Sequence, residues 1–165
     1  MKANIRPVLL ITLTLGVFAF FHSSVTAQPQ EPALYYILDA SGSMWGRVNG
    51  EPKISVAKAT LEKLIRETPA NTITGLAAYG HRRKADCKDI EELSPVAPLA
   101  AEELIKKIKS LTPVGKTPLT DSITFAAGQL KAGNYDATIV LISDGIESCD
   151  KDPCAATKAL RESGA

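Results

Sequence analysis

The sequence of 165 residues lacks a second long apolar run. Its one such stretch, Val8 to Phe21, is about 14 residues, short of the roughly 20 that a membrane-spanning helix needs. A permanent membrane anchor is therefore not expected. An excess of either charge is also missing: once Lys2 and Arg6 are set aside with the N-terminal stretch, 17 basic residues face 18 acidic ones, a net of about −1. Holding a phosphate backbone takes a basic face or stripe. The local basic cluster His81-Arg82-Arg83-Lys84 reads as a solvated loop, so nucleic acid is excluded as the expected partner. Paired C-x-x-C spacing is absent, and with three scattered cysteines and one histidine beyond the N-terminal stretch, a zinc site is not expected. No internal repeat or low-complexity tract is present.

What stands at the N-terminus is an export signature. Lys2 and Arg6 precede the apolar run, and Val25-Thr26-Ala27 follows it, the order of charged, apolar and small-residue regions in a cleavable secretory signal. Residues 1–27 are read as that signal, 28–33 as a short linker and 34–165 as one domain, large enough to bury a core of its own. No cysteine lies at the junction to take a lipid, so the expectation is an exported protein, periplasmic or extracellular. Disulfides persist in such compartments, and the odd count of Cys87, Cys149 and Cys154 leaves one thiol over. Cys87 could pair with either of the others. The short spacing of Cys149 and Cys154 makes that pair the expectation.

Apolar patterning divides the rest of the chain into alternating strands and helices. Ala33–Leu38 is a continuous β-prone run, as in a strand buried on both faces, and it stops at Asp39. Ile54, Ala57, Leu61, Leu64 and Ile65 recur at helical spacing over Lys53–Arg66 until Pro69-Ala-Asn71 breaks the pattern. Thr72–Tyr79 is a second strand, with Asp89–Leu93 as a polar edge strand returning beside it. Ala101–Leu111 and Leu119–Lys131 are helices, separated by the loop Thr112-Pro-Val-Gly-Lys-Thr-Pro118. Ala137–Ile142 is a third buried strand, and a last helix starts near Pro153. Strands alternating with helices specify an α/β fold: a Rossmann-like, doubly wound, mostly parallel sheet with helices on both faces. Such sheets bind ligands outside the carboxyl ends of their strands, where Asp39 and Asp144 both lie.

Hard divalent cations take oxygen ligands, and Mg²⁺ takes them octahedrally while keeping some water. Asp39-x-Ser41-x-Ser43 offers a carboxylate and two hydroxyls from a turn in which Gly42 lets the backbone fold closely, while Thr117 and Asp144 supply oxygens from two distant segments. Asp39 and Ser41 taken alone are ordinary turn formers. The order Asp-x-Ser-x-Ser, Gly-x-Thr-Pro-Leu and Ser-Asp-Gly resembles the von Willebrand factor type A domains. That resemblance runs from Leu34 to the end of the chain and implies a metal-ion-dependent adhesion site. Ser41 and Ser43 would coordinate directly, and Thr117, Asp39 and Asp144 directly or through water. It further implies a divalent cation, Mg²⁺ first and Mn²⁺ or Ca²⁺ as alternatives, and a protein partner that presents an Asp or Glu carboxylate. The wider context, Asp39-Ala-Ser-Gly-Ser-Met-Trp-Gly46 with Ser143-Asp-Gly-Ile-Glu-Ser-Cys149, is similar to an exported bacterial subgroup. The family pattern also implies two more strands and a helix after Ala165, so the chain reads as a C-terminally incomplete domain whose strand ending at Ser143 is an open edge.

Around the candidate site, Met44 and Trp45 are read as an apolar rim for a partner, tryptophan being favoured at interface centres; the bland alternative packs Trp45 back on the domain. His81 stands on the same face or serves structure, Tyr79 belongs to the core, and Glu147 is either part of the metal surround or a solvated carboxylate. Gly115-Lys116-Thr117 is not a phosphate loop, because the glycine that such a loop needs at position 110 is a serine. The expected function is a binding module rather than an enzyme. The rivals are an exported metal-dependent hydrolase with Asp39 or Asp144 as base, and a structural domain with a vestigial site.

Overall fold

The computed structural model describes residues 31–133 and 135–162; the predicted signal and the first half of the predicted linker lie outside them. The sheet is formed by β1 (Pro32–Asp39), β4 (Ile73–Tyr79), β5 (Ile90–Pro98) and β6 (Asp136–Ile142), in the order β5-β4-β1-β6. β4 and β6 both run parallel to β1, and β5 runs antiparallel to β4. The expected polar edge strand is thus present, longer than Asp89–Leu93 and with two irregularities in its register. β1 begins at Pro32, one residue before the strand expected from Ala33.

Because side chains alternate across a strand, β1 and β4 feed two cores. Tyr36, Leu38, Leu76 and Ala78 face one side, where α1 (Lys53–Glu67) contributes Ile54, Ala57, Leu61 and Ile65, and α2 (Ala101–Ser110) contributes Leu104, Ile105 and Ile108. Tyr35, Ile37, Ala77 and Tyr79 face the other, covered by Ala126 and Leu130 of α3 (Leu119–Ala132). The predicted doubly wound α/β sandwich follows directly from that alternation. α4 (Pro153–Glu162) packs on α3 and buries none of its own residues. Between them and β6 runs an apolar cleft lined by Ile123, Leu130, Ile139 and Leu141.

Helix ends are completed from distant segments. No helix in the set α1 to α3 has a side-chain N-cap of its own, yet the Glu147 carboxylate accepts from Thr120 N at 2.8 Å in the first turn of α3. The Lys58 ammonium donates to Lys109 O and Leu111 O at the end of α2. These are orphan groups of helix termini, and satisfying them from elsewhere ties the layers together. A small hairpin, β2 (Arg47–Val48) with β3 (Glu51–Pro52), was not anticipated. Its turn is Asn49-Gly50, both at positive φ (52° and 86°), the pair that two-residue hairpins prefer.

Candidate metal-binding face at the carboxyl ends of the strands

β1 delivers its last residue, Asp39, fully buried at the carboxyl edge. The chain then turns through a 3-10 segment, Gly42–Trp45, closed by Met44 N to Ser41 O and Gly46 N to Ser43 O. The loop before α3 docks against this turn, with Gly42 N donating to Gly115 O at 2.9 Å and Val114 N to Ala40 O at 3.2 Å. The loop after β6 completes the face: Thr117 N donates to Ser148 Oγ at 2.8 Å, and Ser148 N returns to Thr117 O at 3.2 Å.

Close approach here depends on Gly80 and Gly115 rather than on Gly42. A Cβ on Gly42 would meet only ordinary contacts at 3.6 Å, whereas one on Gly80 would stand 2.5 Å from Lys116 O and one on Gly115 2.2 Å from Arg83 O. Gly80 also holds φ at +69°, a conformation glycine adopts without steric cost. Its carbonyl accepts from both Val114 N and Gly115 N.

The predicted oxygens converge. Ser41 Oγ lies 3.0 Å from Ser43 Oγ, and Ser43 Oγ donates to Asp144 Oδ1 at 3.0 Å. Asp39 stands behind them, Oδ1 accepting from Ser41 N at 2.8 Å and Oδ2 from Ser143 Oγ at 2.6 Å. Thr117 is buried beside this group: a Cβ built on Gly145 would lie 3.1 Å from Thr117 Cγ2 and 3.3 Å from Asp39 Oδ2. All five predicted positions therefore share one face. Oxygens about 2.1 Å from a Mg²⁺ in octahedral array stand about 3.0 Å apart along each edge, the separation seen for both serine contacts. Among the described residues no three His, Cys, Asp or Glu side chains gather as a metal cluster; the side-chain groups gathered here are mostly hydroxyls.

The charge balance also leaves room for a cation. Asp39 is a buried carboxylate, and among the described residues no basic side chain pairs with it; such a charge is costly unless compensated. Among the described residues Asp144 has one cationic partner, the ammonium of Lys53. Tyr79, buried as expected of a core residue, also donates to Ser143 Oγ at 3.2 Å. Its phenol is pushed well above the ordinary range, first by burial and then by the Asp39 charge. It therefore stays a proton donor to Ser143, which donates onward to Asp39.

Two expectations are corrected, for Met44 as a rim residue and for the disulfide, and for His81 the structural alternative is the one found. Met44 is 1 % exposed and belongs to the core beneath the turn, because the 3-10 segment rotates it inward; it is no rim residue. His81 is largely enclosed, its Nε2 2.7 Å from Glu91 Oε2, so it braces β5 rather than facing a partner. The disulfide joins Cys87 to Cys149, and Cys154 is the free, exposed thiol, in place of the expected Cys149–Cys154 pair. The fold brings the β4–β5 loop to the loop after β6, while Cys154 is carried away on α4. Trp45 is 55 % exposed with its indole N–H held by Pro113 O at 3.0 Å, a ring anchored at one end and open to solvent.

Ser143, Ser148 and Lys53 were not singled out. Ser143 sits inside the quoted Ser-Asp-Gly, and Lys53 occupies the first position of a helix, where a positive charge opposes the helix dipole. That unfavourable placement was its one sequence signal.

Known proteins place this architecture. The chain is 28% identical over 136 residues to YwmD of Bacillus subtilis (strain 168), a match that spans 77% of this chain and 61% of that protein, which is longer. Its fold is similar to the vWF domain of the type V pili tip protein Mfa5 from Porphyromonas gingivalis, with a TM-score of 0.57 and 20% identity over 73% of this chain and 40% of that one. It is also similar to the PilB minor pilin from Streptococcus sanguinis, with a TM-score of 0.59 and 19% identity over 73% and 31% of the two chains. Residues 34–147 match the von Willebrand factor type A domain family, and with the Asp-x-Ser-x-Ser, Thr and Asp positions gathered on one face, the chain belongs to that family.

Proposed function

We propose that this protein is an exported binding module that grips an acidic group on a protein partner through a divalent cation, Mg²⁺ in the first instance. The observation that carries the reading is the pair of 3.0 Å oxygen contacts linking Ser41, Ser43 and Asp144, drawn from segments about a hundred residues apart. Those three residues and Thr117 would hold the cation. Asp39, with both oxygens engaged by Ser41 N and Ser143 Oγ, would act from behind, orienting the loop and supplying charge. When bound, the cation supplies Lewis acidity to a partner Asp or Glu carboxylate. The protein's own part is to fix neutral hydroxyls around that point, which leaves positive charge unspent for the partner, and to offer the exposed Trp45 ring beside it.

Similarity to pilus proteins supports an adhesive role and a place outside the cytoplasm, in line with the N-terminal signal read from sequence. Among the described residues no helix is long and apolar enough to cross a membrane. The test is calorimetric titration with Mg²⁺, followed by capture of acidic protein partners with and without chelator. Binding that needs the cation and is lost in Ser41→Ala supports the proposal; partner capture indifferent to both chelator and Ser41→Ala refutes it.

A further inference from the structure

We propose that Lys53 is a tethered cation that occupies Asp144 in the metal-free protein and competes with the divalent ion for it. This rests on the proposed metal site, and it adds a residue outside the Asp-x-Ser-x-Ser, Thr and Asp set that tunes its affinity. Three observations converge on Lys53. Its ammonium pairs with Asp144 Oδ2, the same carboxylate whose Oδ1 accepts from Ser43 Oγ. Its backbone is fastened to the metal loop, Lys53 N donating to Gly46 O at 2.8 Å. Its stem lies against Gly46, where an added Cβ would stand 3.3 Å from Lys53 Cε and 3.5 Å from Nζ. The side chain thus passes over Gly46, close enough that an added Cβ would require it to shift by a few tenths of an ångström, towards the acidic end of the site.

The placement runs against local preference. Lys53 opens α1, where the helix dipole disfavours positive charge; its pairing with Asp144 offsets that. The charges explain why. Asp39 and Asp144 give the site two negative charges, and Lys53 cancels one. A divalent ion cancels both, and with Lys53 still in place the site would carry an excess positive charge at a few ångströms. Loading therefore favours departure of the ammonium from Asp144, and the apparent affinity is lowered by the strength of that contact. The lysine is partly solvated, so its departure needs only side-chain rotation.

The experiment is calorimetric titration of Mg²⁺ alone into the wild type, Lys53→Met and Lys53→Arg, with the exposed Trp45 as a fluorescence check and thermal unfolding in chelator as a control for folding. The expected result is Mg²⁺ binding roughly two- to fivefold tighter in Lys53→Met, with Lys53→Arg close to wild type. In lysine-selective NMR of the wild type, the Lys53 Nζ resonance should move on addition of Mg²⁺. Equal or weaker binding by a folded Lys53→Met, while the wild type binds Mg²⁺, overturns this proposal and leaves the metal site standing. Absence of Mg²⁺ binding in the wild type and in both variants overturns the metal site and this proposal with it.

Discussion

At the scale of single residues, the site is held by groups that do not themselves face a ligand. Gly80 is the sharpest case: its positive φ and the 2.5 Å approach to Lys116 O forbid a side chain where three loops meet. Gly80→Ala should cost several kcal/mol, about 1–3 from backbone strain alone, and should abolish Mg²⁺ binding; chemical denaturation and calorimetry check both. Asp89 anchors the basic loop in the same indirect way. It is fully buried and accepts from Arg82 N, Arg83 N and Arg82 Nε. Burial alone would raise its pKa, but those donors outweigh it and hold the carboxyl below its ordinary value. A lowered folded-state pKa means that the stabilisation is complete above the unfolded value and is lost as pH falls through the folded one. Acid unfolding should therefore steepen below about pH 4, and Asp89→Asn should flatten that limb while weakening the protein at neutral pH. In the same loop Arg82 and Arg83 are engaged by Asp89, Asp86 and nearby carbonyls.

The helices α1 to α3 are held by long-range ties rather than by local side-chain caps. The Cys87–Cys149 bridge spans 62 residues and pins the loop after β6, which carries Asp144, Glu147 and Ser148. In the chain-entropy view, closing a loop of that length is worth roughly 4 kcal/mol. Cys87→Ser should lower stability by about 2–4 kcal/mol and loosen the metal face, seen as weaker Mg²⁺ binding; Cys154→Ser, at an exposed thiol, should change neither. Glu147 accepts from Thr120 N and Cys149 N, so it links the bridge to the start of α3. Glu147→Ala should cost about 1–2 kcal/mol, in the manner of a lost helix cap, measurable by denaturant unfolding.

For the molecule as a whole, stability and occupancy of the site are linked. A ligand that binds only the folded state adds about 2.7 kcal/mol at a hundredfold its dissociation constant. Millimolar Mg²⁺ should raise the unfolding temperature of the wild type, and Asp144→Ala should erase that rise. The two cores on either side of β1 give the sheet its rigidity, with Tyr35, Ile37, Leu38 and Leu61 all fully buried. Leu61→Ala should destabilise by about 2–5 kcal/mol without altering the oxygens at the strand ends. On the opposite flank β6 pairs with β1 alone among the described residues, and its side chains are exposed or half-buried.

Much of this was legible in the sequence because it depends on local chemistry. Continuous apolar runs specify strands buried on both faces, the 3.6-residue recurrence specified three helices within a residue or two of their ends, and Pro153 marked the start of the fourth. The ordered polar motifs named the five residues that the fold gathers. The hairpin at Asn49-Gly50 was equally local and went unread. What sequence could not decide were the partnerships between segments far apart in the chain: Cys87 with Cys149, Glu147 with α3, Lys53 with Asp144, and Met44 turned inward where Trp45 turns outward. Each depends on how loops from four strands meet at one edge of the sheet. Only closure of the tertiary structure brings those groups within bonding distance, since nothing in their spacing along the chain encodes it.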